Sequence, residues 1–257
     1  MLKKIALSFL KTLAVSAFWI TLWFVLAKYV VGMELLLPSP ITVGKRLLEI
    51  TSQKDFYVTT AYSLLRVSFG ILIASLISII LSVITYSSRV ANALVSPFIT
   101  VIKATPVASF IILALLWLDR SELPVFIAIL MLLPIMWTNL MTGLAQTDKK
   151  LIEMAKVFRV GRIKTLFGIY VPSVLPYFTS AAKTSLGLAW KAGIAAEVLA
   201  VPAKSIGKKL FDSKAYFETA DLFAWTAVVI LLSLIIEIIF EALISRILSK
   251  RRSRSNG

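Results

Sequence analysis

Residues 67–86 read VSFGILIASLISIILSVITY, twenty positions without a charge. A bilayer's hydrocarbon core of about 30 Å needs about 20 mostly apolar residues as helix, because an intrahelical ladder satisfies each backbone amide in lipid. This segment is long enough. Working outward, five more stretches meet the same condition: 13–31, 100–118, 124–144, 173–200 and 222–244. None shows the sustained in–out alternation of a barrel strand. The expectation is an all-α integral membrane protein with six transmembrane helices, forming a single membrane domain over 1–257.

Composition agrees. Of 257 residues 59% are hydrophobic and the mean hydropathy is +0.90, whereas a soluble domain is about half apolar. Cysteine and histidine are absent. That removes disulfides, thiolate nucleophiles, imidazole bases and most zinc chemistry. The formal charge of +15 would point to nucleic acid in a soluble chain. Beside six spans it reads instead as Lys and Arg gathered in cytoplasmic loops and near anionic lipid. No basic stripe interleaved with aromatics is present, so no nucleic-acid partner is expected. Lys3, Lys4 and Lys11 precede the first apolar run as they would in a signal peptide. The run lacks a small-residue cleavage site before Lys28, so a retained helix is expected.

Six spans place both termini on one side. That side holds Lys3, Lys4, Lys11, Arg89, the six basic residues of 149–164, and the tail residues Arg246, Lys250, Arg251, Arg252 and Arg254. The other side holds Lys45, Arg46, Lys54, Arg120, Lys204, Lys208, Lys209 and Lys214. The first set is larger, so both ends are expected in the cytoplasm. Two outer stretches have structure of their own. In 36–53, Ser39 and Pro40 read as N-cap and first helical position, and Val43, Leu47, Leu48 and Ile50 give a short amphipathic helix. In 202–221, lysines mix with Leu210, Phe211, Tyr216 and Phe217, for the outer interface or a partner protein.

The loop between the fourth and fifth spans carries the most information. Asp148 can cap a short helix whose apolar residues Leu151, Ile152, Ala155 and Phe158 recur about once per turn. Gly161 punctuates it, and a second short helix carries Ile163, Leu166 and Phe167 before Pro172. Such a pair can lie flat on the inner leaflet or dock its apolar face into a groove on another protein.

Glu153-x-Ala155, a turn, then Ile169-x-Val171-Pro172 resembles the EAA loop of type I ABC importer permeases. The glycine that the family places six residues after the glutamate falls on Arg159 here, with Gly161 two residues later. The turn is therefore expected to be displaced or built differently. Leu37-Pro38-Ser39-Pro40, the run Ser63–Gly70, Pro106, Leu116-Trp117-Leu118, Ala189-Trp190 and Ala195-Ala196-Glu197 are similar to the nitrate, sulfonate and taurine branch. Asp119-Arg120-Ser121 stands where that branch has a glycine-containing turn. The resemblance implies a type I permease fold with a core over about 58–245, in the bacterial cytoplasmic membrane. It implies two permease copies around a path and ABC ATPase subunits on the loops, with Glu153, Ala155, Arg159, Gly161, Ile169 and Pro172 in the coupling region. It further implies an extracytoplasmic substrate-binding protein, and as cargo a sulfonate, nitrate, bicarbonate or vitamin precursor. No G-x-x-x-x-G-K-[ST] loop occurs: Gly207-Lys208 lacks both the earlier glycine and the following hydroxyl. No cofactor is expected on this chain, and ATP with its magnesium falls to the partner.

Charges inside spans mark the candidate path, since a lysine in mid-bilayer costs about 2.5–3.5 kcal/mol unless it faces protein or water. The fifth span holds Lys183, Lys191 and Glu197. On a helix Lys183 and Glu197 stand about 21 Å apart along the axis, and Lys191 and Glu197 about 120° apart around it, so neither lysine pairs with Glu197 within the span. Lys191 can face an anion-favouring chamber, or pair with a carboxylate such as Glu237. Glu197 reads more readily as a packing or gating hydrogen-bond group, Lys103 and Arg66 as snorkelling cations, and Pro106 as a kink. A secondary transporter or channel stands as the alternative, although no inverted repeat or matched pair of broken helices is visible. An intramembrane protease has neither a histidine nor a carboxylate pair to use.

Overall fold

The computed structural model describes residues 2–255, with side chains and burial for residues 11–242. Of the basic residues counted above, Lys3, Lys4, Arg246, Lys250, Arg251, Arg252 and Arg254 lie outside the described side chains. In chain order the helices are α1 (Leu2–Val25, continued by a π-helical turn, Leu26–Val31), α2 (Pro40–Thr51), α3 (Lys54–Ser87), α4 (Arg89–Ala104), α5 (Val107–Ala114), α6 (Leu123–Ala145), α7 (Lys149–Val157), α8 (Arg162–Thr165), α9 (Val171–Ala200), α10 (Ile206–Ala215) and α11 (Thr219–Ser255). No strand occurs among the described residues.

Four described helices are long and apolar enough to cross a membrane: Lys11–Val31, α3, α6 and the Thr219–Ala242 part of α11. A fifth is reached if α4 and α5 count as one broken span. The third span expected over 100–118 does not form as one helix. α4 and α5 are bent by 103° across Thr105-Pro106. Pro106 has no amide for the ladder and holds Thr105 extended, at φ −85° and ψ 131°, so the kink expected of Pro106 is a full break. The fifth expected span forms as α9, 30 residues long. Its prolines, hydroxyls, lysines and Glu197 leave it outside the apolar set.

The core is built around α6. Of its apolar stretch 61% is buried, against 28% for α3, 22% for α11 and 6% for the first span. Helices α3 and α9 flank it with stripes of small residues: Ser63, Gly70, Ala74, Ser78 and Ser82 on α3, and Ala181, Ala182, Ser185, Ala189, Ala192 and Ala196 on α9. In lipid, where leaving water drives no helix association, close backbone approach supplies the contact energy. A Cβ added at Gly70 would lie 2.6 Å from the Val125 carbonyl oxygen. Two buried tryptophans have their ring nitrogens bonded: Trp190 donates to the Val229 carbonyl at 3.1 Å and Trp137 to the Thr85 hydroxyl at 3.0 Å.

On the side opposite the α7–α8 hairpin, α2 forms as its sequence reads. Ser39 Oγ accepts the Thr42 amide at 3.2 Å, and Pro40 opens the helix. Val43, Leu47 and Ile50 pack on the core. Leu48, one position round from Leu47, is 73% exposed and leaves that face. Arg46 binds Asp221 at the start of α11 with two nitrogens and Glu49 with the third at 2.8 Å. These carboxylates, Asp221 first, hold the guanidinium even more firmly charged than usual.

Candidate functional site

The hairpin of α7 and α8 is the first candidate. Asp148 caps α7 by accepting the Lys150 amide at 2.8 Å. At the other end the Val160 amide reaches back to the Ala155 carbonyl at 2.8 Å and the Arg159 amide to the Lys156 carbonyl at 3.1 Å. That pair of bonds is a Schellman closure, which needs a left-handed residue between them. Arg159 takes that conformation, with φ 52°. The turn is therefore not displaced to Gly161: it sits at Arg159, where the EAA pattern has glycine. Gly161 has φ −59° and ψ 147°, a conformation open to any residue, and caps α8.

The expected apolar face divides. Ala155 is buried and Ile152 half-buried, whereas Met154, Val157, Phe158 and Ile163 are 50%, 78%, 74% and 74% exposed. Glu153 is exposed beside them. The second helix is not separate before Pro172, as expected, but runs through a π-helical turn, Leu166–Tyr170, into α9. The wide turn immediately precedes Pro172, which has no amide to give a carbonyl one turn back. Ile169 is half-buried in that turn and Pro172 exposed at the start of α9.

At the far end of α9, Glu197 is 0% exposed. Ser63 of α3 donates to its Oε2 at 2.7 Å, and the Gly207 amide, second in α10, donates to the same oxygen at 3.1 Å. Ser63 Oγ in turn accepts the Ile206 amide at 2.9 Å. Arg66 Nη1 lies 3.5 Å from Glu197 Oε1, and its guanidinium also donates to the Ala203 and Lys204 carbonyls at 3.0 and 3.3 Å. One carboxylate thus fills an open helix N-terminus and ties three helices. A Cβ at Gly207 would stand 2.2 Å from that of Glu197. Val201, which closes α9, is left-handed at φ 51°. For a β-branched residue that is strained, and it persists where surrounding bonds over-determine it. Arg66 is therefore not a snorkelling cation. Sequence reading missed Ser63 and Gly207 as partners; the signal was the spacing Ser63-x-x-Arg66, one turn apart, opposite a carboxylate that had to find donors.

Residues 70–252 match the sequence profile of the family described as the binding-protein-dependent transport system inner membrane component. The chain belongs to that family. It is an ABC importer permease and a multi-pass protein of the cytoplasmic membrane, a transport component rather than an enzyme. It is 24% identical over 237 residues to the taurine transport system permease protein of Escherichia coli K12, covering 89% of this chain and 85% of that one. It is 23% identical over 217 residues to a Bacillus subtilis permease named for aliphatic sulfonates, covering 84% and 78%. The bicarbonate transport system permease protein of Synechococcus elongatus is 26% identical over 163 residues, 62% of this chain and 58% of that one.

The permease's lysines on α4 and α9 are held differently. Lys183 pairs with Glu241 of α11 at 2.7 Å, so the final helix gives a carboxylate to Lys183. Lys103 donates to Thr138 of α6 at 2.7 Å, beside the α4–α5 break, rather than extending to a span end. Lys191 is exposed between the buried Trp190 and Ala192 and makes no ion pair or hydrogen bond among the described residues. Lys183, Lys191 and Glu197 share a helix but no common site.

Proposed function

We propose that this chain is the path-forming subunit of an ATP-driven importer, with six spans and both termini cytoplasmic, in one domain whose permease core covers about 58–245. The observation that carries the reading is the α7–α8 hairpin: a capped, tightly closed helical turn that presents Met154, Val157, Phe158 and Ile163 to solvent. Apolar faces of this kind are covered by a groove on a partner. The partner is an ABC ATPase subunit, which holds ATP and magnesium. Glu153, Arg159 and the exposed apolar residues are the docking surface, Ala155 and Ile169 seat the hairpin, and Pro172 marks where it becomes α9. ATPase closure then moves the hairpin, and α9 with it.

Two copies enclose the path, and a substrate-binding protein delivers cargo to the outer face. Lys191, exposed on a single chain, lines the path and favours a small anion; relatives named for taurine, sulfonates and bicarbonate support that charge. Glu197 positions α10 against α9 and does not touch cargo. The test is purification from mild detergent: ATP hydrolysis should accompany the permease, and nucleotide-dependent uptake should follow reconstitution. A secondary transporter would purify alone and take up cargo without nucleotide. Uptake of an anion by Lys191→Met equal to the parent's would remove Lys191 from the path.

A further inference from the structure

Near the hairpin a groove of about 400 Å³ opens between α3, α6 and the start of α9. Its walls are Ile79 and Val83 of α3, Leu140 and Leu144 of α6, and Val174 and Phe178 of α9. The one serine hydroxyl in the lining, of Ser82, is spent on the Ile79 carbonyl at 2.9 Å. The π-helical turn widens the helix here, and two of its residues, Leu166 and Tyr170, complete the lining. A groove this apolar offers water few partners. On α3 it continues into the exposed apolar stripe Leu65, Phe69, Leu72, Leu76 and Ile80.

Basic residues lie close along the chain to two of the groove's walls. Arg162 stands one turn before Leu166, whose amide bonds to the Arg162 carbonyl. Arg89 follows two residues after α3 ends. Both are exposed, and neither is in an ion pair among the described residues. Around them, 148–164 holds six basic residues against two acidic ones, Asp148 and Glu153; Asp148 is engaged on the Lys150 amide.

We propose that this groove is a site for one anionic phospholipid from the leaflet on the hairpin side, an acyl chain between α3, α6 and α9 and its phosphate between Arg89 and Arg162. The lipid supports the root of the hairpin, so headgroup charge bears on how firmly the hairpin is held. The site depends on membrane residence and not on the identity of the cargo or the ATPase.

The test uses the full chain in nanodiscs of equal phosphatidylglycerol and phosphatidylethanolamine, followed by mild delipidation and native mass spectrometry. One phosphatidylglycerol per chain should be retained about tenfold over phosphatidylethanolamine. The double variant Arg89→Gln with Arg162→Gln should hold lipid with no headgroup preference. Val174→Trp should fill the groove and lose the retained lipid, with unchanged helicity and a single elution peak; Val83→Trp serves if that variant does not fold. The proposal is overturned if the parent shows no headgroup preference, if the double variant keeps it, or if a folded tryptophan variant retains the lipid.

Discussion

The two ends of α9 are built on opposite plans. At its C-terminal end Glu197 is sealed among Ser63, Arg66 and the Gly207 amide, with each group answered inside the chain. At its other end the hairpin keeps an ordered backbone and leaves Val157, Phe158 and Ile163 in solvent. A buried carboxylate without donors would cost several kcal/mol, so the C-terminal end must be completed by the fold itself. Exposed apolar side chains cost the fold little and leave their contact energy for a partner. Because one helix connects the two ends, the locked end gives movement at the open end something rigid to act on. The difference separates internal structure from interface without reference to any relative.

That contrast can be broken by mutation. The largest effect is expected for Glu197→Ala, which strands Arg66, Ser63 and the α10 amide. Stability should fall by about 3–5 kcal/mol, read from detergent-phase unfolding; a loss below about 1 kcal/mol would mean that the junction is dispensable. Gly207→Ala forces a Cβ into the Glu197 backbone and should cost about 1–3 kcal/mol. In the hairpin the signs reverse. Arg159→Gly should stabilise by about 1 kcal/mol, because it relieves a left-handed non-glycine residue. Gly161→Ala should be neutral or stabilising by about 0.5 kcal/mol, since its φ is ordinary and no atom lies within 4 Å of the added methyl. The smallest effect is expected for Phe158→Ser, within about 0.5 kcal/mol of the parent as an exposed site, while uptake is lost. A marked destabilisation there would mean that Phe158 packs within the chain.

Much of this was legible in the sequence, because bilayer thickness and helix rise translate apolar length directly into spans. The cap at Ser39-Pro40, the closing of α7 and the interruption at Pro106 follow from local backbone chemistry. What local reading could not supply was the partner of each polar group. Glu197 meets Ser63 from 134 residues away, and Lys183 meets Glu241 on the last helix. Arg159 shows the second limit. Glycine is the favoured left-handed residue but not the only one, so Gly161, two residues on, left a displaced turn as one of two readings. The bonds to Ala155 and Lys156 fix the turn where it is. α9 stays outside the apolar set for a related reason: it owes its place to packing against α6, and its own side chains are too polar to declare a span.

The most direct measurement is site-specific photocrosslinking from the hairpin. The chain has no cysteine, so Val157→Cys carries the sole thiol-reactive probe. In native membranes with uptake intact, the account predicts a covalent adduct with an ATP-hydrolysing subunit, abolished when Glu153→Arg is added. An adduct with lipid alone, in membranes that still import cargo on ATP, would contradict it.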